Sequence, residues 1–171
     1  MSRILFVDGY NVIGAWQEAE KNQWPIDECR DRLANMLEEY GALTGQYVVL
    51  VFDGYKGDRL YTSVEKYENI EIVYTKKYET ADSYIEKAVY SSPVYNTISV
   101  ATSDAIQQTV VLNSGATRIS SRELLLSLKN IKEQRRKQSD ISNPPQRDTL
   151  ASRLPKHQYD ILEKIRRSNG K

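Results

Sequence analysis

The sequence predicts an α/β fold in which helices cover both faces of a central, mostly parallel β-sheet. Three observations lead there. Short continuous apolar runs at 4–7 and 47–52, with a weaker one at 70–74 and another at 97–101, read as strands buried on both sides. Stretches with helical spacing separate them, the alternation that builds a parallel sheet. Three of the runs are followed closely by an aspartate, at Asp8, Asp53 and Asp104.

Taken in order, Ile4-Leu5-Phe6-Val7 is the first strand and ends at Asp8-Gly9-Tyr10-Asn11. Pro25 suits the first position of a helix, where its missing N–H has no partner to lose, and Asp27 and Glu28 complement the helix dipole in the first turn. Leu33, Met36, Leu37 and Tyr40 then recur at helical spacing until Gly41 or Gly45 closes the element. The run 47–52 is the second strand, ending at Asp53-Gly54, and 70–74 the third, interrupted by Glu71. A helix over about 80–90 stops at Ser91-Ser92-Pro93. The fourth strand, 97–101, leads into Thr102-Ser103-Asp104 and a helix over about 105–112. A last short strand is expected at 116–119. Ser120 and Glu123 form a capping-box pattern for a helix reaching about residue 137. Asn143-Pro144-Pro145 marks a linker over 139–149, and Pro155 opens a final basic helix. The expected division is therefore a domain at 1–138 and a linker with a basic carboxyl-terminal helix at 139–171.

The net charge of +1 hides a segregation. Residues 1–117 carry 10 basic and 17 acidic side chains, whereas residues 118–171 carry 14 basic and 6 acidic. An acidic site in one part and a polyanion-facing surface in the other fit that split. No apolar run approaches membrane-spanning length, and Met1-Ser2-Arg3 leads into a strand rather than a signal peptide. A cytoplasmic location is the resulting expectation. With one cysteine, Cys29, there is neither an internal disulfide nor a cysteine-rich zinc site.

Right-handed crossovers place the carboxyl ends of parallel strands on one edge, where open α/β sheets bind ligands. Asp8, Asp53 and Asp104 are expected to converge there. Asp82, in the first turn of the helix after the third strand, joins them, and Glu86 lies one turn further along the face shared by Glu79 and Asp82. Each acid also has a purely local reading, as a turn former (Asp8-Gly9, Asp53-Gly54) or as dipole compensation at a helix start (Asp82, Asp104). Carboxylates packed together repel unless a cation sits among them, and an all-oxygen donor set favours Mg²⁺ or Mn²⁺. Such a site suits phosphodiester hydrolysis by a water made more acidic and oriented by the metal.

Asn11 can hydrogen-bond a carboxylate or a metal-bound water, or equally stabilise its own turn. Thr102 and Ser103 can meet a phosphate at a helix start, although capping alone explains Ser103, and Lys56, Arg59, Lys76 and Lys77 can do so around the pocket or simply be solvated. Arg135 and Arg136, in the basic carboxyl-terminal third, are further RNA-binding candidates. Of the twelve tyrosines, Tyr10, Tyr55, Tyr61, Tyr78 and Tyr84 fall near the site edge, where unpaired bases stack, although buried aromatic packing explains most tyrosines equally well.

Val7-Asp8-Gly9-Tyr10-Asn11, Val51-Phe52-Asp53-Gly54, the run from Glu79-Thr80-Ala81-Asp82 to Glu86, and Ala101-Thr102-Ser103-Asp104 occur in that order. Together with Ser121-Arg122-Glu123-Leu124-Leu125 and Arg153-Leu154-Pro155, they resemble the YacP-like NYN-domain family, relatives of the PIN-type nucleases. The resemblance implies a PIN-like three-layer sandwich and Mg²⁺- or Mn²⁺-dependent endoribonuclease activity. It also implies metal ligation by Asp8, Asp82 and Asp104, with Asp53 and Asn11 in support. Among the family's members the sequence is most similar to bacterial ribosome-associated endoribonucleases, which implies mRNA and the ribosome as partners. Two alternatives stand beside this expectation. One is a catalytically silent RNA- or ribosome-binding module. The other is a metal-dependent phosphatase, against which stands Tyr10, where an aspartyl-phosphate mechanism would want a second aspartate.

Overall fold

Val48 to Phe52 are buried at every successive position because layers of helices press on the strand from both sides. The computed structural model describes residues 2–54, 60–93, 96–103 and 116–142, and of 138–142 the backbone alone. The strands are β1 (Arg3–Asp8), β2 (Tyr47–Phe52), β3 (Ser63–Lys66), β4 (Ile70–Tyr74), β5 (Thr97–Ala101) and β6 (Thr117–Ile119). They form one sheet in the order β3-β4-β2-β1-β5-β6. Every pairing is parallel except β3 with β4. The helices are α1 (Gly9–Gly14), α2 (Gln17–Lys21), α3 (Ile26–Thr44), α4 (Ala81–Ser91) and α5 (Ser121–Ser142).

The two-residue period of the strands sorts their side chains into two cores. Leu5 and Val7 of β1 and Val48, Leu50 and Phe52 of β2 point to one face, where they pack with Val12, Leu33, Leu37, Leu124 and Leu128. Phe6, Val49, Val51, Val73 and Val100 point to the other and pack with Ile85 and Val89 of α4. The expected α/β architecture, with a mostly parallel sheet between helical layers, is what the chain adopts.

Several elements differ from expectation. The segment after Asp8 is a helix at once, because Asp8 caps it by accepting a hydrogen bond from the Asn11 N–H at 3.1 Å. A second short helix, α2, follows and is not legible in the pattern. Strand β3 is likewise unexpected: it exposes most of its side chains as an antiparallel edge and lacks an apolar run. Helix α3 passes through Gly41 and stops at Gly45, whose φ of 64° suits a residue without a Cβ. Helix α5 continues to Ser142 instead of ending near 137, so the first residues of the expected linker are helical. The capping box forms as expected, with the Ser120 N–H on Glu123 Oε2 (2.7 Å) and the Glu123 N–H on Ser120 Oγ (3.2 Å). The expected helix at 105–112, the linker from 143 and the helix after Pro155 lie outside the described residues.

The chain divides into two compact units, Met1–Lys132 and Glu133–Lys171. Of the second, the opening helical residues are described, with Arg135 and Arg136 exposed.

Candidate active site

The chain reverses its direction of winding beside β1. It runs outward through β2 to β4 and then returns to β5 on the other side of β1. The carboxyl ends of β1 and β5 flank that switch point, the place where a parallel sheet opens a crevice. Asp8 is the last residue of β1, and its carboxyl hydrogen-bonds that of Asp82, in the first turn of α4. Two carboxyls can approach in this way only by sharing a proton or a cation. Burial is the largest cause of a shift that lifts the Asp8 carboxyl from its ordinary 3.8 to about 7. The Asn11 N–H opposes that shift, while the nearby Asp82 and Asp53 carboxylates add to it.

Asp53 follows β2, and its Oδ1 accepts a hydrogen bond from the Ala81 N–H, the first residue of α4. It thereby ties the start of α4 to the end of β2 across 28 residues of sequence. Thr80 caps the same helix by accepting from the Ser83 N–H at 3.2 Å. The approach to α4 is fixed by Thr75, fully buried, whose hydroxyl donates to Glu79 O (2.6 Å) and accepts from the Gly54 N–H (2.9 Å). Asp82 is therefore presented to Asp8 by a bonded framework of backbone and buried hydroxyl.

Asn11 ties the opposite side together. Its Oδ1 accepts from the Ser103 N–H at 3.0 Å and from the Ser121 hydroxyl at 2.6 Å. Because the Ser103 N–H can only donate, the atom facing it must be the amide oxygen. The Ser121 N–H in turn donates to Ser103 Oγ at 3.3 Å. One side chain thus joins the end of β1, the loop after β5 and the start of α5. Ser121 is fully buried, and its part in this cluster has no signal in the sequence beyond its place in the family-like run Ser121 to Leu125. Beside the cluster a cleft of about 550 Å³ opens, lined by Tyr10, Asn11, Ser103, Ser120 and Arg122 among others.

Not every expected site residue joins this arrangement. Among the described residues no three His, Cys, Asp or Glu side chains lie close enough together to hold an ion. The acids that meet are Asp8 and Asp82, with Asp53 engaged by the α4 backbone. Glu86 is exposed one turn along α4 and has no part in shifting Asp8. Glu79 precedes the helix instead of sharing its face. It pairs with Lys87 at 2.9 Å, whose hydrogen bond is the main cause holding the Glu79 carboxyl below its usual range. Thr102 is fully buried, with its N–H bonded to Ile119 O, so it offers a ligand no side-chain surface. Ser103, Lys76 and Lys77 are exposed at the strand-end edge. Tyr61 and Tyr78 are exposed, whereas Tyr10 and Tyr84 are partly buried against the two cores. Asp104, Lys56, Arg59 and Tyr55 lie outside the described residues.

The donor set fits a hard divalent ion. The Asp8–Asp82 pair supplies carboxylate oxygens whose mutual repulsion a cation would relieve in place of the shared proton. Among the described residues no helix is long and apolar enough to cross a membrane.

Residues 5–167 match the family model of the YacP-like NYN domain. The chain is 40% identical over 133 residues to YacP of Bacillus subtilis (strain 168), covering 75% of this chain and 76% of that one. Its fold is similar to the crystal structure of a point mutant of Rae1 (YacP) from Bacillus subtilis, with a TM-score of 0.67 and 33% identity over 95% of this chain and 99% of that one. A second crystal structure of Rae1 (YacP) from the same organism matches with a TM-score of 0.64, also at 33% identity, over 97% of this chain and 95% of the other.

Proposed function

Because the chain belongs to the family of YacP-like NYN domains, which are of nuclease type and generally depend on divalent metals, we propose that it is an endoribonuclease that uses Mg²⁺ or Mn²⁺. The observation that carries this reading is the Asp8–Asp82 carboxyl pair at the switch point of a parallel sheet. When bound there, the metal supplies charge neutralisation of a phosphodiester and a more acidic water.

The chain's own groups do the rest. Asp8 and Asp82 would hold the ion, joined by Asp104 as the resemblance implies. Asp53 sets the position of Asp82 through α4, and Asn11 sets that of Asp8 through its backbone N–H. The exposed Ser103 and the ammonium groups of Lys76 and Lys77 meet phosphates of the strand. Lys56 and Arg59 are proposed to extend that contact. The substrate is proposed to be single-stranded mRNA at the translating ribosome, in the cytoplasm, with Arg135 and Arg136 of the basic carboxyl-terminal part facing ribosomal RNA.

Incubation with translating ribosomes and Mg²⁺, followed by mapping of new RNA ends, tests the reading. Cleavage is expected from the wild type and a loss of at least about 100-fold from Asp8→Asn and Asp82→Asn. Cleavage retained by both variants would overturn it. The second reading is a silent RNA-binding module, which would keep the basic carboxyl-terminal part as its contact without using the carboxyl pair. Full cellular function in the Asp8→Asn variant would select that alternative.

A further inference from the structure

A groove of about 600 Å³ lies between α5 and the segment running from Trp16 into α3. Its apolar lining includes Trp16, Trp24 and Leu126, and its α5 wall carries Arg122, Lys129 and Lys132. Positions 122, 129 and 132 fall on one stripe of a helix, about 15 Å long at the usual rise per residue. None of these three cations is held in an ion pair among the described residues. Leu126 is 60% exposed and Trp24 half-buried, so the apolar lining is open to a ligand. Arg32 also lines the groove, but it is bound to Glu28 at 2.6 Å and lies over the Trp24 ring at 4.1 Å, so it extends the flat surface without adding a free charge. Glu18 is the single acid of the lining. Ala15 and Arg122 line both this groove and the cleft on Asn11 and Ser103, so the two adjoin at those residues.

We propose that this groove is the track of a single-stranded RNA substrate leading to the site, its phosphates on Arg122, Lys129 and Lys132 and a base against the tryptophan and leucine surface. The inference rests on the nuclease reading and names the path of its substrate. Cations in a row above an aromatic lining are the combination that unpaired nucleic acid recognises.

Both tryptophans of the chain line the groove, Trp24 half-buried at its surface and Trp16 buried behind it, so intrinsic tryptophan emission reports on its occupancy chiefly through Trp24. The full chain, with EDTA to suppress cleavage, is titrated with a ten-nucleotide oligouridylate. A saturable emission change is expected. Lys129→Glu with Lys132→Glu should weaken binding at least tenfold and flatten the dependence of log K on log salt by about 1.4. Retained thermal unfolding of this double variant excludes a folding defect, since both lysines are exposed. Oligonucleotide binding with silent tryptophans and unchanged affinity in the double variant would overturn the proposal. An equal emission change from polyglutamate at the same ionic strength would also overturn it, by assigning the groove to an acidic protein. Mg²⁺-dependent cleavage lost in Asp8→Asn, but with a silent groove, would remove the track and leave the nuclease standing. Groove binding without any cleavage would do the reverse.

Discussion

The Ser121 hydroxyl donates to the Asn11 side-chain oxygen at 2.6 Å, joining residues 110 positions apart in the sequence. Asn11 also holds the Ser103 N–H and lends its own N–H to Asp8, so the start of α5 is mechanically linked to the carboxyl pair.

Removing that hydroxyl leaves the partly buried Asn11 oxygen with one partner fewer. Ser121→Ala is expected to lower stability by about 1–2 kcal/mol, read from urea unfolding. Ser121→Thr, which keeps the donor, should restore part of that loss. RNA cleavage by Ser121→Ala should fall through the catalytic rate more than through apparent substrate affinity. An alanine variant with wild-type stability and rate would show that the link transmits nothing.

Asp53 offers a clean separation between ligand and support. Its structural task, accepting the Ala81 N–H, needs an oxygen but no charge. Asp53→Asn should therefore keep the fold and most Mg²⁺ affinity, while Asp53→Ala should lose about 1 kcal/mol of stability and misplace Asp82. Calorimetric Mg²⁺ titration of both variants decides. If asparagine abolishes binding as completely as alanine does, Asp53 is a ligand in its own right.

The raised Asp8 carboxyl makes a signed prediction. Between pH 3.8 and about 7 the folded protein holds a proton that the unfolded chain has released. That contribution to stability is complete below pH 3.8 and disappears as pH rises through about 7. In metal-free protein, the stability of wild type relative to Asp8→Asn should thus decline from about pH 4 to about pH 7, by on the order of 4 kcal/mol. With Mg²⁺ proposed to replace the proton, its affinity should climb with pH to about 7 and level off above. An affinity indifferent to pH between about 6 and 8 would contradict a protonated pair.

Gly9 follows Asp8 directly, and a Cβ there would overlap the ring of Phe52. That ring is fully buried, 5.6 Å from the ring of Tyr74 and 5.1 Å from that of Tyr10. Gly9→Ala should destabilise the protein by about 1–3 kcal/mol and depress cleavage by displacing Asp8. Phe52→Leu in the same chain should recover part of the stability, because the two changes share one space. Strictly additive effects in denaturant would rule out that contact as the cause.

Much of this molecule is legible in its residues. The second, third and fourth strands are expected at 47–52, 70–74 and 97–101, and β2, β4 and β5 occupy those ranges, because continuous apolar runs have no stable place except a doubly covered strand. The capping box of α5 is equally plain, since Ser120 and Glu123 satisfy each other within one turn. Strand β3 and helices α1 and α2 are not, being an exposed edge and short helices whose patterns carry too few apolar positions.

By itself the sequence determined the alternation of strands and helices, and with it the edge where Asp8, Asp53 and Asp104 are expected, with Asp82 beside them, because periodicity and local capping act over a few residues. Only the tertiary structure decided which acids meet. Asp8 reaches Asp82, Asp53 turns to the Ala81 N–H, Glu79 pairs with Lys87, and Glu86 stays in solvent. Those choices depend on which backbone donor or cation lies within about 3 Å once distant segments pack, and that distance is not a property of any local run of residues.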